Sequence, residues 1–256
     1  MSAGGVIAFV TRHVPRTWLE RIASPSLKVV AVAARGDRVR CPVCGGHFRW
    51  FVPYGHVRVR RNALCPGCLA LERHRLLWLY LQTCTDFFEA RRRVLHVAPE
   101  RCFLERFRAV HGAGYLTVDL ESPLAALRAD VQDLPLPDDA FDVVICNHVL
   151  EHVEDDLLAM RELHRVLAPG GWAILQSPID RNRATTYEDP LVTTPSERER
   201  EFGQRDHVRA YGSDYGRRLA SAGFSVSEDD FVRTLPSSLA AGYALSDDET
   251  VFRCWK

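Results

Sequence analysis

The sequence predicts an α/β protein, a doubly wound, mostly parallel seven-stranded sheet preceded by a small ribbon carrying paired cysteines. Three observations predict this. From residue 93 onward, short apolar runs alternate with amphipathic stretches, as in strand–helix–strand units. One of these runs, Val143-Val144-Ile145-Cys146, is apolar enough for burial on both faces, as a central parallel strand requires. Ahead of them stand two Cys-x-x-Cys pairs separated by 20 residues.

The elements follow in order. Residues 1–38 read as a basic helical lead, with 14–34 forming a basic amphipathic helix. Residues 39–90 hold the ribbon and a connecting helix. Cys41-Pro-Val-Cys44 and Cys65-Pro-Gly-Cys68 each make a tight knuckle, and four thiolates close a tetrahedral zinc site with no open position. Such a site is structural. Gly45, Gly46 and Gly67 suit the knuckle turns. His47, His56 and His74 are alternative ligands that four cysteines make unnecessary. Cys84, Cys102, Cys146 and Cys254 lie in apolar or helical contexts and read as ordinary core residues. Between the knuckles, alternating aromatic, aliphatic and basic residues suggest a hairpin turning at Pro53-Tyr54-Gly55. Its aromatics either supply a small core or stack on nucleic-acid bases. The following run, LALERHRLLWLYLQT, has helical spacing. Its Glu72-Arg73-His74-Arg75 cluster is either a solvated face or a clamp for an anionic group.

Residues 91–256 form the main domain. Strands are expected at 93–97, 115–118, 126–129, 142–146, 171–177, 224–231 and 250–255, and helices at 102–110, 155–167 and 213–222. Gly170-Gly171 is expected to close the second of these helices. A long polar insertion over about 178–212 has the character of a lid or substrate-binding element.

An open α/β sheet binds ligands outside the carboxyl ends of its strands, where strand order reverses. Asp119, closing the second strand, is placed to accept from a ribose diol, with Leu120 against an adenine face. Asp130 is placed to accept from an adenine amino group, with the Val131 N–H on the ring nitrogen. The succession YLTVD, ADVQDLP, FDVVICNHVLEH and ELHRVLAPGG resembles the class I S-adenosylmethionine (SAM)-dependent methyltransferases, in particular the large type 11-like group. The resemblance implies a Rossmann-like sheet with a short antiparallel final strand (TVFRCW), SAM as cofactor, and a cofactor site that includes Asn147. The first loop departs from that pattern. In RVLHVAPERC, His96 stands where an acid is expected, while Ala98, Glu100 and Cys102 stand where glycines are. Pro99 stiffens the loop by fixing φ, and Glu100 is available to face the cofactor's cationic groups. Ala98, Pro99 and Glu100 therefore count among the cofactor-binding candidates.

Methyl transfer is mainly a matter of alignment, and a base is needed only when the acceptor must lose a proton. His148, directly after the fourth strand, His207 in the insertion, and Tyr187 are the catalytic candidates. His152 is expected one turn beyond His148 on the same helical face.

Composition sets the outer limits. The 256 residues are 46% hydrophobic, enough for one full-sized domain and a small appendage. No apolar run reaches a membrane span, and residues 5–10 are too short for a signal peptide, so a cytoplasmic protein is expected. Net charge is zero but uneven: residues 1–93 carry 16 Lys/Arg against 5 Asp/Glu, and the remainder the opposite excess. The basic third either docks on the acidic domain or meets an anionic partner. Together with the insertion arginines Arg181, Arg183, Arg198, Arg200, Arg205 and Arg209, it favours a small anionic acceptor. RNA is the alternative, because the layout also resembles ribosomal RNA methyltransferases with N-terminal zinc fingers and uncharacterised zinc-ribbon methyltransferases that share the string from Cys65 to Arg75. A non-catalytic zinc-ribbon interaction protein is a further alternative.

Overall fold

The computed structural model describes residues 29–55 and 59–256; most of the basic lead and His56 lie outside the described residues. The chain packs as two units, Met1–Thr85 with Phe231–Glu249, and Asp86–Asp230 with Thr250–Lys256. The division expected at 90/91 is thus displaced. The chain leaves the sheet after Asp230, gives residues 231–249 to the first unit, and returns at Thr250.

In the first unit, β1 (Arg35–Arg40) pairs antiparallel with β2 (His47–Phe48), and β3 (Val52–Tyr54) with β4 (Arg60–Leu64). Residues 35–38, assigned above to a helical lead, are therefore strand. Pro53 and Tyr54 also lie within a strand, so the chain reverses after Tyr54. The two knuckles share one bonding pattern. Gly45 N donates to Cys41 O and Leu69 N to Cys65 O, while the Cys41 and Cys65 amides donate to Gly46 O and Ala70 O, all at 2.9 Å. Gly45 and Leu69 both adopt the left-handed conformation, with φ of 70° and 68°. Glycine takes it freely, whereas Leu69 bears a strain of about 1–2 kcal/mol. Phe48 and Phe51 are buried with ring centroids 5.9 Å apart and form the ribbon's small core, while Trp50 is exposed.

The helix α1 (Glu72–Thr83) follows the second knuckle. Its charged first turn is neither a solvated face nor a clamp. Glu72 pairs with Arg60 at 3.0 Å, and His74 Nδ1 accepts the Leu71 amide at 3.1 Å, capping the helix. Arg75 is fully buried. Its guanidinium donates to the carbonyls of Ala63, Ala70 and Asn62 and, from the returning segment, of Tyr243 and Ala244, and it lies over the Phe51 ring. One planar fork thereby ties the second knuckle to residues 243–244.

The second unit contains β5 (Val94–Val97), β6 (Tyr115–Asp119), β7 (Leu127–Arg128), β8 (Phe141–Asn147), β9 (Leu167–Gln176), β10 (Tyr187–Glu188), β11 (Arg209–Ala210), β12 (Ser225–Asp229) and β13 (Val251–Trp255). Seven of these form one sheet in the order β12-β13-β9-β8-β5-β6-β7. The pairs from β9 to β7 are parallel, and β13 runs antiparallel to both of its neighbours. This is the Rossmann-like methyltransferase fold. Leu95 and Val97 join the core built from α3 (Asp156–Val166) and α5 (Tyr215–Ser221), while the intervening His96 points to the opposite face, beside Phe107 of α2 (Arg101–His111).

Two expectations are corrected here. Gly170-Gly171 does not close α3, because the helix ends at Val166 and β9 begins at once. The glycines lie in a bulge, where the register jumps from Phe141↔Leu167 to Val143↔Trp172. A Cβ on Gly171 would sit 2.9 Å from the Asp142 carbonyl, so close backbone approach demands glycine there. The insertion over about 178–212, where no strand or helix is expected from the sequence, has secondary structure of its own. It contains the β10–β11 pair and α4 (Pro195–Phe202), which opens with a Thr194/Glu197 capping box. Among the described residues, no helix is long and apolar enough to cross a membrane.

Replacing Arg75 by Met should destabilise the protein by at least about 3 kcal/mol, because it strands several buried carbonyls. Urea denaturation would measure the loss. Arg75→Lys should recover only part of it, since an ammonium cannot reproduce the fork.

Candidate active site

Strand order reverses around β5, whose neighbours are β6 on one side and β8 on the other. That reversal opens a crevice at the carboxyl ends of β5 and β8. Each strand is followed by a non-glycine residue in the left-handed region, Ala98 (φ 49°) after β5 and His148 (φ 57°) after β8. Such conformations are sparsely populated and persist where surrounding structure fixes them. Ala98 is held by its amide on Val118 O at 2.8 Å, and His148 by its amide on Gln176 O at 2.8 Å.

Glu100 bridges the crevice. One carboxylate oxygen lies 2.6 Å from His96 Nε2 and the other accepts from Asn147 Nδ2 at 2.5 Å. His96 is fully buried, and its Nδ1 lies 2.7 Å from the Tyr115 hydroxyl. Asn147 Oδ1 is a buried acceptor without a partner. Across β6, Asp119 Oδ1 accepts the amides of Glu121 and Ser122 at 2.8 and 2.6 Å, which leaves Oδ2 for a ligand hydroxyl. Leu120, next to it, is 53% exposed. Asp130 lies beyond the end of β7 and is engaged by Gln132 through its amide and side chain; Val131 is buried. A ligand with a cationic group, a diol and a flat aromatic face fits this donor set.

After β8 the chain does not enter a helix. Residues 148–155 form turns, so His148 and His152 do not share a helical face. The turns are stitched to the insertion. Arg209 donates to the carbonyls of Leu150, Val153 and Glu154, Tyr211 Oη to Leu150 O at 3.1 Å, and the Val208 amide to Glu151 O at 2.9 Å. This stitching brings His207 against His152, with ring centroids 4.8 Å apart. It also gathers a residue that the sequence reasoning missed, Glu151. Glu151 is buried, accepts from Ser177 Oγ at 3.0 Å, and lies 3.3 Å from His148 Nδ1. Burial opposes its ionisation, but hydrogen bonding and charge from His148 outweigh burial and hold the carboxyl near about 2. Its only sequence signal was its place between Leu150 and His152. Burial lowers the pKa of His207. Tyr187 pairs with Ala210 across β10–β11, with its ring 5.6 Å from Phe202, whose carbonyl meets His207 Nδ1 at 3.2 Å.

Four of the six insertion arginines pair with acids of the chain, and Arg198 donates to the Val192 carbonyl at 3.5 Å. Arg181 pairs with Asp230, Arg183 with Asp180, Arg200 with Glu201 and Arg209 with Glu188. They do not signal an anionic acceptor. In the first unit, Cys41 and Cys68 Sγ lie 3.6 Å apart and Cys44 and Cys65 Sγ 3.7 Å, with all four within 4.8 Å. Disulfide sulfurs would be about 2.05 Å apart. Tetrahedral zinc with bonds of about 2.3 Å sets its sulfurs about 3.8 Å apart, so the cluster fits the ion.

Residues 83–175 match the family model described as a methyltransferase domain. Among curated proteins, ajmaline N-methyltransferase of Rauvolfia serpentina is 40% identical over 63 residues, covering 25% of this chain and 22% of that protein. The ubiquinone/menaquinone biosynthesis C-methyltransferase UbiE of Pectobacterium carotovorum is 34% identical over 68 residues, covering 25% of this chain and 27% of that protein. The chain therefore spans about a quarter of the length of these relatives. Among solved structures, an S-adenosylmethionine-dependent methyltransferase from Mesorhizobium loti is 19% identical with a TM-score of 0.48, covering 70% of this chain and 97% of that one.

The stitched turn rests on Asp156. This buried residue accepts from Tyr211 Oη at 2.7 Å and from Arg218 at 2.6 and 3.0 Å, with Arg209 Nε at 3.8 Å. Burial opposes its charge, but Arg218 and Arg209 hold its carboxyl below the ordinary carboxylate range. As pH falls below about 4, the unfolded chain takes up the proton before the folded one does. The contribution of Asp156 is thus complete above that pH and lost below it. Asp156→Asn should be less stable than the parent at pH 7. It should also lose stability less steeply between pH 5 and 3, as read from urea midpoints.

Proposed function

We propose that the protein is an SAM-dependent methyltransferase acting on a small-molecule acceptor, with one structural zinc ion in its N-terminal ribbon. One observation carries the reading within the matched methyltransferase domain: an acceptor-rich crevice at the switch point, bridged by Glu100 and lined by Asn147 Oδ1 and Asp119 Oδ2. When bound, SAM supplies a sulfonium methyl group that an acceptor atom attacks in line, and the sulfur retains the electron pair of the broken bond. Asp119 would accept from a ribose hydroxyl, Leu120 would cover an adenine face, and Asp130 and the Val131 amide would meet its edge. Glu100 and Asn147 would face the cofactor's ammonium, on a loop shaped by Ala98 and Pro99. The acceptor would lie beside His148, on the side toward His207 and Tyr187. From the sequence the acceptor atom is expected to be oxygen or nitrogen, and the similar curated proteins named above, a C- and an N-methyltransferase, add carbon to that choice.

Calorimetry should show binding of SAM and S-adenosylhomocysteine. Loss of a charged hydrogen-bond acceptor costs about 1.5–3 kcal/mol, so Asp119→Ala should weaken SAM about ten- to hundred-fold. Unchanged affinity would put the cofactor elsewhere. Metal analysis of the purified chain should find zinc bound through the four cysteines. Cys65→Ser should lose that ion and unfold the ribbon, and a metal-free, fully folded parent would refute the zinc assignment.

A further inference from the structure

We propose that Glu151, His152 and His207 form a second metal site, which takes a borderline divalent ion such as Zn2+ through two imidazoles and one carboxylate. One donor atom from each residue lies within 4.8 Å of the others. The tautomers follow from the partners. His207 Nδ1 lies 3.2 Å from Phe202 O, and His152 Nδ1 lies 3.2 Å from Asp206 O. A carbonyl oxygen only accepts, so both Nδ1 atoms carry the hydrogen and both Nε2 atoms keep a lone pair. Histidines that bind metals are oriented in this way, with the other ring nitrogen donating to a backbone carbonyl.

Two of the three donors are buried. His207 is 5% exposed and its Nε2 has no partner; Glu151 is 1% exposed, and its Oε1 lies 3.3 Å from His148 Nδ1. A buried acceptor without a donor is costly, and a cation on His207 Nε2 removes that cost. The two histidines are 55 residues apart in sequence, and the amide of Val208 and the guanidinium of Arg209 hold their segments together. The backbone of the site is therefore built before any ion arrives.

The donor set selects the ion. Imidazole suits zinc, iron and nickel, whereas magnesium and calcium prefer all-oxygen shells. Tetrahedral bonds of about 2.0–2.1 Å place donors about 3.3 Å apart, so the set must contract. The His152 side chain, 34% exposed, is the one free to swing inward. Three protein ligands leave a tetrahedral ion one open position, the mark of a site that takes a further ligand rather than of a closed structural one. An ion on His207 Nε2 also removes that nitrogen as a proton acceptor.

The test is a zinc titration of the full chain by calorimetry, with neither cofactor nor acceptor present, so its outcome is independent of the methyl-transfer reading. The parent should bind one equivalent beyond the ribbon's. His207→Ala and His152→Ala should each weaken that equivalent at least ten-fold and leave the ribbon's unchanged. His152→Ala removes a partly exposed ring, so it keeps the test decisive if His207→Ala misfolds. If the ribbon takes no zinc, the single equivalent that remains should still weaken in both variants. Failure to bind any equivalent outside the ribbon at millimolar zinc, or equal binding by parent and variants, would overturn the proposal.

Discussion

The carboxylate of Glu100 is shared between the ends of two adjacent parallel strands, and the crevice depends on that sharing. It joins the loop after β5 to the last residue of β8 through Asn147, and it reaches back to His96 within β5. This explains the departure of the first loop from the glycine-rich pattern. Where the resembled pattern has an acid at position 96 and a glycine at position 100, this chain has a histidine and an acid, and the histidine holds the carboxylate. Ala98 then takes the left-handed turn that a glycine would otherwise make. The loop gives up conformational freedom and gains a fixed negative charge at the switch point.

A second constraint shapes the turn after β8. Arg209 spans three carbonyls of the turn after β8 while its Nε meets Glu188, and Asp156 holds Arg218 and Tyr211 beside it. A buried cation satisfied by carbonyls and a buried anion satisfied by cations are expensive to break singly. The turn carrying His148, Glu151 and His152 is accordingly fixed by the insertion, which acts as its scaffold.

The sheet was legible because its signals are local. β5, β8 and β13 are short apolar runs whose pattern depends on nothing distant, and the knuckle cysteines show their geometry through spacing alone. The failures share a different cause. Arg75 read as a surface charge because its partners are backbone carbonyls, which leave no complementary residue in the sequence. Gly170-Gly171 read as a helix cap because nothing local reveals that α3 runs straight into β9 and that the glycines serve a bulge against Asp142. His148 and His152 read as neighbours on one helical face because they are four residues apart, whereas Arg209, far along the chain, captures the carbonyls of Leu150, Val153 and Glu154. Glu151 was passed over for the same reason, since its neighbours Ser177 and His207 are adjacent to it only in the folded chain.

The excursion of residues 231–249 has a consequence for how the sheet is made. β13 lies between β9 and β12 yet is synthesised after both, and after the detour through the other unit. Until it emerges from the ribosome, β9 presents an open parallel edge and β12 has no partner. Unpaired strand edges invite pairing with other chains. The nascent protein therefore carries two open strand edges until β13 is made, and a chain stalled or cut after Asp230 would lose the join between β9 and β12 along with part of the first unit.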